Sequence, residues 1–274
     1  MNLWDIIVAI ILGIVEGLTE FAPVSSTGHM IIVDDLWLQS NQLFGDEVAN
    51  AFKVVIQLGS IMAVVVLFWG RFLDLLGLRK IKTASPASSK LNLLQIIVGL
   101  LPAAVLGLLF EDYIDEYLFS INTVIVGLFV GAFLMLAADK FRPRLVAETV
   151  DQITYKQAFL VGLFQCLALW PGFSRSGSTI SGGVLLGMSY RAASDFTFIM
   201  AVPIMAGASL LKVVKYWDYF TMDTLPFFIA GFISAFIVAL IVIGFFLRLI
   251  NKVKLKPFAI YRIIIAIILL IIVW

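Results

Sequence analysis

Residues 16–29 read EGLTEFAPVSSTGH, and apolar runs enclose them: IIVAIILGIV (6–15) before and MIIV (30–33) after. Fourteen residues thus place two carboxylates, three consecutive hydroxyls, a proline and the chain's single histidine inside a hydrophobic segment. Each apolar flank is too short to cross a bilayer alone, since a spanning helix needs about 17–25 residues. The segment over 3–34 therefore reads as a broken or re-entrant helix pair. Non-helical backbone is tolerated at that depth only where protein or water satisfies it.

The rest of the chain fits a membrane setting. Of 274 residues, 62% are hydrophobic and 14% charged, against about half and about a quarter in soluble domains. The hydrophobicity comes in long blocks rather than with an amphipathic period. The clearer blocks cover 51–69, 91–110, 121–138, 196–211, 227–247 and 258–274, the fourth and sixth near the short limit. The opening MNLWD lacks the basic stretch of a cleaved signal peptide, and no polar stretch is long enough to fold as a separate soluble domain. The single cysteine, Cys166, excludes an intrachain disulfide and reads as a small buried hydrophobe. The net charge of +1 says little about partners, and nothing points to nucleic acid.

Charge distribution sets the orientation. Arg71, Arg79, Lys80, Lys82 and Lys90 fill one connection; Lys140, Arg142, Arg144 and Lys156 another; Arg248, Lys252, Lys254 and Lys256 a third. Segments 34–50 and 111–120 have several acids and no lysine or arginine. Lys and Arg accumulate in cytoplasmic loops, so the basic connections are expected inside and the acidic ones outside. Region 212–224 is mixed and falls outside by alternation alone. The N-terminus is then also outside.

A second broken region lies at 155–190. Setting LGIVEGLTEFAPVSSTGH against VGLFQCLALWPGFSRSGS aligns Gly13 with Gly162 and Gly28 with Gly177 at the same offset of 149. Glu16 falls on Gln165, Ser25 on Ser174 and Thr27 on Ser176, while Pro23 and Pro171 are out by one. Three spans follow each broken region, so the second copy must be inverted. The expected fold is an all-α polytopic membrane protein with about six transmembrane helices and two re-entrant pairs. Its first repeat occupies 1–138 and its inverted second repeat 139–274, with a site where the copies meet near the midplane.

The two copies carry complementary chemistry. Glu16 and Glu20, at i and i+4, share a helix face. Two carboxylates that close oppose joint ionisation, so a proton or a divalent cation belongs with them. Solvation at a helix end is the plainer reading of the acids alone. Ser25, Ser26 and Thr27 suit a turn opening a short helix, yet three hydroxyls exceed what one cap needs. His29 is either a satisfied core imidazole or a nucleophile, proton donor or phosphate ligand. In the second copy, PGFSRSGST (171–179) sets Arg175 between apolar flanks too long for easy snorkelling. A fixed guanidinium fork suits phosphate oxygens. Ser174, Ser176, Ser178 and Thr179 add hydroxyls, and Gly172 and Gly177 allow backbone N–H groups to approach an anion. A held phosphoryl group, an activated oxygen and charge relief are what phosphate ester or anhydride hydrolysis needs. A substrate reaching a site inside the bilayer is an amphiphile, so the residues point to a lipid phosphate or diphosphate phosphatase.

At these motifs the chain resembles the bacterial undecaprenyl-diphosphate phosphatase family, also called bacitracin-resistance proteins. Glu16 and Glu20 meet its Glu/Gln-x-x-x-Glu motif. Pro171, Gly172, Ser174, Arg175, Ser176 and Thr179 meet its P-G-x-S-R-S-x-x-T motif. Pro23 to His29 and the closing PFAIYR (257–262) look like the family's, and only Ala22 departs, where a larger aliphatic is expected. The resemblance implies hydrolysis of undecaprenyl diphosphate to the monophosphate carrier lipid of cell-wall synthesis, and tolerance of bacitracin. It also implies divalent cation dependence, Mg²⁺ or Ca²⁺, and a site open to the outer, periplasmic side of the cytoplasmic membrane.

The mechanism expected from these residues has Arg175, Ser174, Ser176, Thr179 and local N–H groups holding the diphosphate, with Ser25, Thr27, Gly172 and Gly177 around it. Glu20 acts as general base on Ser26. Glu16 tunes Glu20 or shares a cation with it, and His29 protonates the leaving group or contacts phosphate. A rival scheme makes His29 the nucleophile. The other function class is a transporter for the product lipid or a small anion, because broken inverted repeats are common there. A purely structural subunit gives no reason for Arg175 opposite Glu16 and Glu20. The expected partners are the polyprenyl diphosphate and the bilayer, with a homo-oligomer left open.

Overall fold

Helix starts are written locally in the sequence. The computed structural model describes residues 3–78, 90–118 and 120–273; Arg79, Lys80 and Lys82 of the first basic connection lie outside them. Helix α1 (Leu3–Thr19) stops just before Glu20. Helix α2 (Ser26–Met30) restarts the chain and passes directly into a π-helical stretch, Ile31–Leu38. Short α3 (Ser40–Phe44) leads to α4 (Asp46–Leu67), and α5 (Trp69–Leu75) continues beyond Phe68. Asn92 and Gln95 form a reciprocal capping box that opens α6 (Leu93–Leu109). After α7 (Glu111–Leu118), Ser120 and Thr123 form the same device at the start of α8 (Ile121–Lys140). Thr154 and Gln157 repeat it for α9 (Tyr155–Cys166), which a 3₁₀ turn extends through Leu169. The second break follows, then α10 (Arg175–Leu185), α11 (Tyr190–Lys215), α12 (Leu225–Val253) and α13 (Lys256–Val273).

Five of these helices, α4, α8, α11, α12 and α13, are long and apolar enough to cross a membrane, and α6 with α7, bent by 70°, makes a sixth candidate. The expected fourth span, 196–211, grows to the 26 residues of α11. Its first turns are polar, but Arg191 Nε pairs with Asp195 Oδ1 at 2.9 Å one turn on, and Ser189 caps the start by accepting from Ala192 N–H. A hydropathy reading begins only where the apolar run does. The outward faces of α12 and α13 remain apolar, with Ile233, Ile237, Ile241, Ile264 and Ile271 exposed, as lipid-facing surfaces are.

Broken helix α1 packs between α12 and α4. Gly13 and Gly17 face Gly231, Ser234 and Ala235 of α12, and a Cβ on Gly17 would stand 2.7 Å from the Ala235 carbonyl oxygen. Small residues at this spacing bring helix backbones together where lipid gives no hydrophobic drive between them.

The connections sort to two ends. Arg71 Nη1 binds Asp151 Oδ1 at 2.8 Å. Asp139 accepts from the N–H groups of Leu255 and Lys256 at 3.1 and 2.8 Å, capping α13, and Arg191 N–H reaches Asn251 Oδ1 at 3.1 Å. The three basic connections therefore meet at one end. At the other, Asp35, Asn50, Ser120, Lys212 and Tyr216 line a common cavity, which gathers the two acidic connections and the mixed 212–224 region.

Candidate active site

The two helix breaks share one backbone device. Ser25 has φ 73°, ψ 101° and Ser174 φ 74°, ψ 116°, left-handed values that cost a non-glycine residue on the order of 1–3 kcal/mol. Each precedes a helix and accepts from the N–H three residues on: Gly28 at 3.4 Å and Gly177 at 3.1 Å. The two serines sit at the offset of 149 read from the sequence. The N-terminal ends of α2 and α10 are thereby formed in the same way.

The breaks also touch. Arg175 Nη2 donates to Glu20 Oε1 at 2.9 Å, with the two side chains only 15% and 9% exposed. Ser26 Oγ donates to the other carboxylate oxygen, Glu20 Oε2, at 2.6 Å. The Arg175 guanidinium also lies over the Phe21 ring, 5.5 Å from its centroid. Ser176 Oγ reaches across the same junction to the Ala22 carbonyl at 3.1 Å. Guanidinium, carboxylate and hydroxyl thus form one chain through Glu20, in surroundings where a charged pair must be well matched to persist.

Two cavities meet at this chain. One, of about 340 Å³, is lined by Glu20, Ser25, Ser26, Thr27, Ser174 and Arg175, with an apolar wall that includes Ala103, Leu169 and Met205. The other, of about 370 Å³, is lined by Glu16, Glu20, Ser26 and Thr27 and by the polar residues of the non-basic end named above. Glu20 and Ser26 belong to both.

The remaining expected residues divide by what they touch. Glu16 is buried; its carbonyl accepts from Glu20 N–H at 3.0 Å, and its carboxyl has no hydrogen-bond partner among the described residues. Gly172, with φ 88°, lies against the Val124 backbone, where no side chain fits; its carbonyl accepts from Arg262. Gly177 gives its N–H to Ser174. The hydroxyls of Ser176 and Thr179 are buried, and neither residue lines either of these two cavities. Thr179 Oγ1 instead donates to the Arg175 carbonyl at 2.8 Å and pairs with Thr197 Oγ1 at 2.8 Å. In this structure Ser176 and Thr179 therefore hold the Arg175 turn rather than reach the cavity. His29 lines neither cavity. Its Nδ1 meets the Ser25 carbonyl at 2.8 Å and its Nε2 meets Tyr261 Oη at 2.7 Å, with the rings stacked.

Sequence reading gave no role to Tyr261, Arg262, Thr197 or Gln57. Arg262 is fully buried and donates from Nη2 to the carbonyls of Gly127 and Gly172 at 3.2 and 2.9 Å, fixing the second turn from behind. An arginine inside an otherwise apolar span was itself the available signal.

Among the described residues no group of three or more His, Cys, Asp or Glu side chains forms a cation cage. Glu16 and Glu20 are the two carboxylates that would hold a divalent cation, as the few protein ligands of a magnesium site do.

The chain is similar to known proteins along its whole length. A family profile described as bacitracin resistance protein BacA matches residues 9–268. A Bacillus subtilis (strain 168) protein named undecaprenyl-diphosphatase is 67% identical over 274 residues, covering 99% of each chain. Proteins of the same name from Geobacillus sp. (strain WCH70) and Exiguobacterium sibiricum are 68% and 62% identical, covering 99% and 100% of each chain. With the match spanning both broken helix pairs, the chain belongs to the BacA bacitracin-resistance family.

Proposed function

We infer that the chain hydrolyses undecaprenyl diphosphate to undecaprenyl phosphate and inorganic phosphate. This returns the carrier lipid to cell-wall synthesis and gives tolerance of bacitracin. The observation that carries the reading is Glu20, held between the Ser26 hydroxyl and the Arg175 guanidinium where the two cavities meet. The matching names of relatives across the full chain support it.

The chemistry follows from those contacts. The terminal phosphoryl group lies against Arg175, with Ser174, Ser25 and Thr27 around it. Glu20 Oε2 takes the Ser26 proton as Oγ bonds to phosphorus. The bond from phosphorus to the bridging oxygen breaks, and the lipid monophosphate leaves as an anion that needs no proton. Water then attacks the phosphoserine, Ser26 recovers its proton from Glu20, and inorganic phosphate departs. Arg175 counters the charge spread over the phosphoryl oxygens throughout. His29, engaged at both ring nitrogens, orients the Ser25–Ser26 turn, so the serine scheme is favoured over a phosphohistidine. Glu16 with Glu20 would hold Mg²⁺ or Ca²⁺, which would supply charge neutralisation for the diphosphate.

The setting is a multi-pass protein of the bacterial cytoplasmic membrane, with the site open to the outer side. The cavity containing Glu16 is lined from connections lacking a basic excess, which supports that direction. The halves 1–138 and 139–274 are read as inverted copies, supported by the matched strained serines. The test is phosphate release from a prenyl diphosphate by purified protein in detergent with Mg²⁺ or Ca²⁺. Release supports the phosphatase; no release, with prenyl phosphate carried across proteoliposomes, makes the chain a transporter.

A further inference from the structure

Gln165 lies in the last turn of α9, one turn before Ala168 and Leu169, and all three line the cavity that holds Arg175. It is 3% exposed, and neither its amide nitrogen nor its carbonyl oxygen has a hydrogen-bond partner. Among the described residues it is the one side chain with both polar atoms of its head group buried and unpaired. Arg175 Nη1 is likewise buried and unpaired, while its Nη2 serves Glu20. Buried amides are nearly always paired, and each orphaned end costs on the order of a hydrogen bond. Two unpaired buried donors lining one cavity suit a ligand that offers several acceptor oxygens.

The cavity has a direction. Glu20 and Ser26 stand at the reacting end, where it joins the second cavity. Ala103, Leu169, Ile204 and Met205 provide an apolar wall, and Leu169 follows Gln165 by one turn of chain. A prenyl diphosphate placed with its terminal phosphorus at Ser26 must put its chain on apolar wall and its ester phosphate between. We propose that Gln165 binds the ester phosphate, the one that stays on the lipid, by donating from Nε2 to a phosphate oxygen beside Arg175 Nη1. The site thereby recognises a phosphate attached to an apolar chain and also holds the product. This deepens the phosphatase reading and rests on it for the direction of the substrate.

Binding of farnesyl phosphate and of inorganic phosphate is measured on purified wild-type, Gln165→Met and Gln165→Glu protein, together with steady-state phosphate release from farnesyl diphosphate. A lost hydrogen bond to a charged group weakens binding by about ten- to a hundredfold. Farnesyl phosphate should weaken by that factor in Gln165→Met and further in Gln165→Glu, where a carboxylate faces the anion. The same variants should raise KM and relieve product inhibition more than they lower kcat, with inorganic phosphate affinity changed less than twofold. Unchanged farnesyl phosphate affinity in both variants overturns the proposal. So does an equal loss for inorganic phosphate, which would put Gln165 at the terminal phosphate. Because farnesyl phosphate binding needs no turnover, a wild-type protein that binds it but releases no phosphate fails as a phosphatase while leaving the Gln165 contact tested separately. A Gln165→Met protein that does not fold leaves Gln165→Glu, nearly identical in shape, to decide.

Discussion

Arg175 donates to Glu20 across 155 residues of chain at 2.9 Å, and this contact joins the first helix break to the second. Neither partner is solvated enough to do without the other. The pair sets which carboxylate oxygen faces Ser26, and so which atom would accept the proton in the proposed reaction. Glu20→Gln keeps the shape and removes the base. Phosphate release should fall by about 10²–10⁴, while the lipid diphosphate still binds within a few-fold of wild type. A loss of binding with little loss of turnover would make Glu20 a docking group.

Ser26 and His29 make opposite predictions about the intermediate. Rapid acid quenching of wild-type protein with terminally labelled prenyl diphosphate should trap an acid-stable phosphoserine that Ser26→Ala abolishes. His29→Ala should retain the trapped species at a reduced rate, because the ring supports the turn through the Ser25 carbonyl and Tyr261. An acid-labile, base-stable adduct would instead name the imidazole.

Arg262 acts through backbone. Its Nη2 is shared by two carbonyls, Gly127 and Gly172, and among the described residues no carboxylate neutralises it by hydrogen bond or ion pair. Arg262→Met leaves the Gly172 carbonyl buried and unpaired, at about 1–3 kcal/mol, while the Gly127 carbonyl keeps its place in α8, and frees the turn that presents Arg175. Turnover should drop more than tenfold. Arg262→Lys should not restore it, since a strongly hydrated ammonium is costlier to bury than a guanidinium and lacks its planar shape. Full activity in the lysine variant would show that charge alone is required.

Gly17→Leu tests the seam that holds α1 in place. The added side chain meets the Ala235 carbonyl and Val238. Overpacking of this kind costs about 1–3 kcal/mol, visible as a lower thermal midpoint in detergent. An unchanged midpoint would mean that α1 and α12 are not closely packed.

Much of this was legible in the residue order. Apolar blocks marked the spans, and basic runs sorted the connections into the two sets that the structure gathers at separate ends. The PGFSRSGST run and the Glu16–His29 stretch identified both breaks, because polar chemistry inside hydrocarbon needs a reason. The direction of each hydroxyl was not legible. Ser176 and Thr179 look the same as Ser26 in a sequence, yet helix geometry turns them onto the Ala22 and Arg175 carbonyls. Gln165 was visible only as the counterpart of Glu16, since a lone glutamine in an apolar helix has no periodic signal. The start of α11 was missed because its opening turns are polar but internally paired.

The central claim is that Glu20 and Arg175 work as one unit. Phosphate release from a prenyl diphosphate by wild type, Glu20→Gln, Arg175→Ala and the double variant measures this directly. Severe loss is expected in each single variant, with a double variant little worse than the poorer single one, because removing either partner already disables the unit. Losses that simply multiply, or a single variant retaining wild-type release, would contradict it.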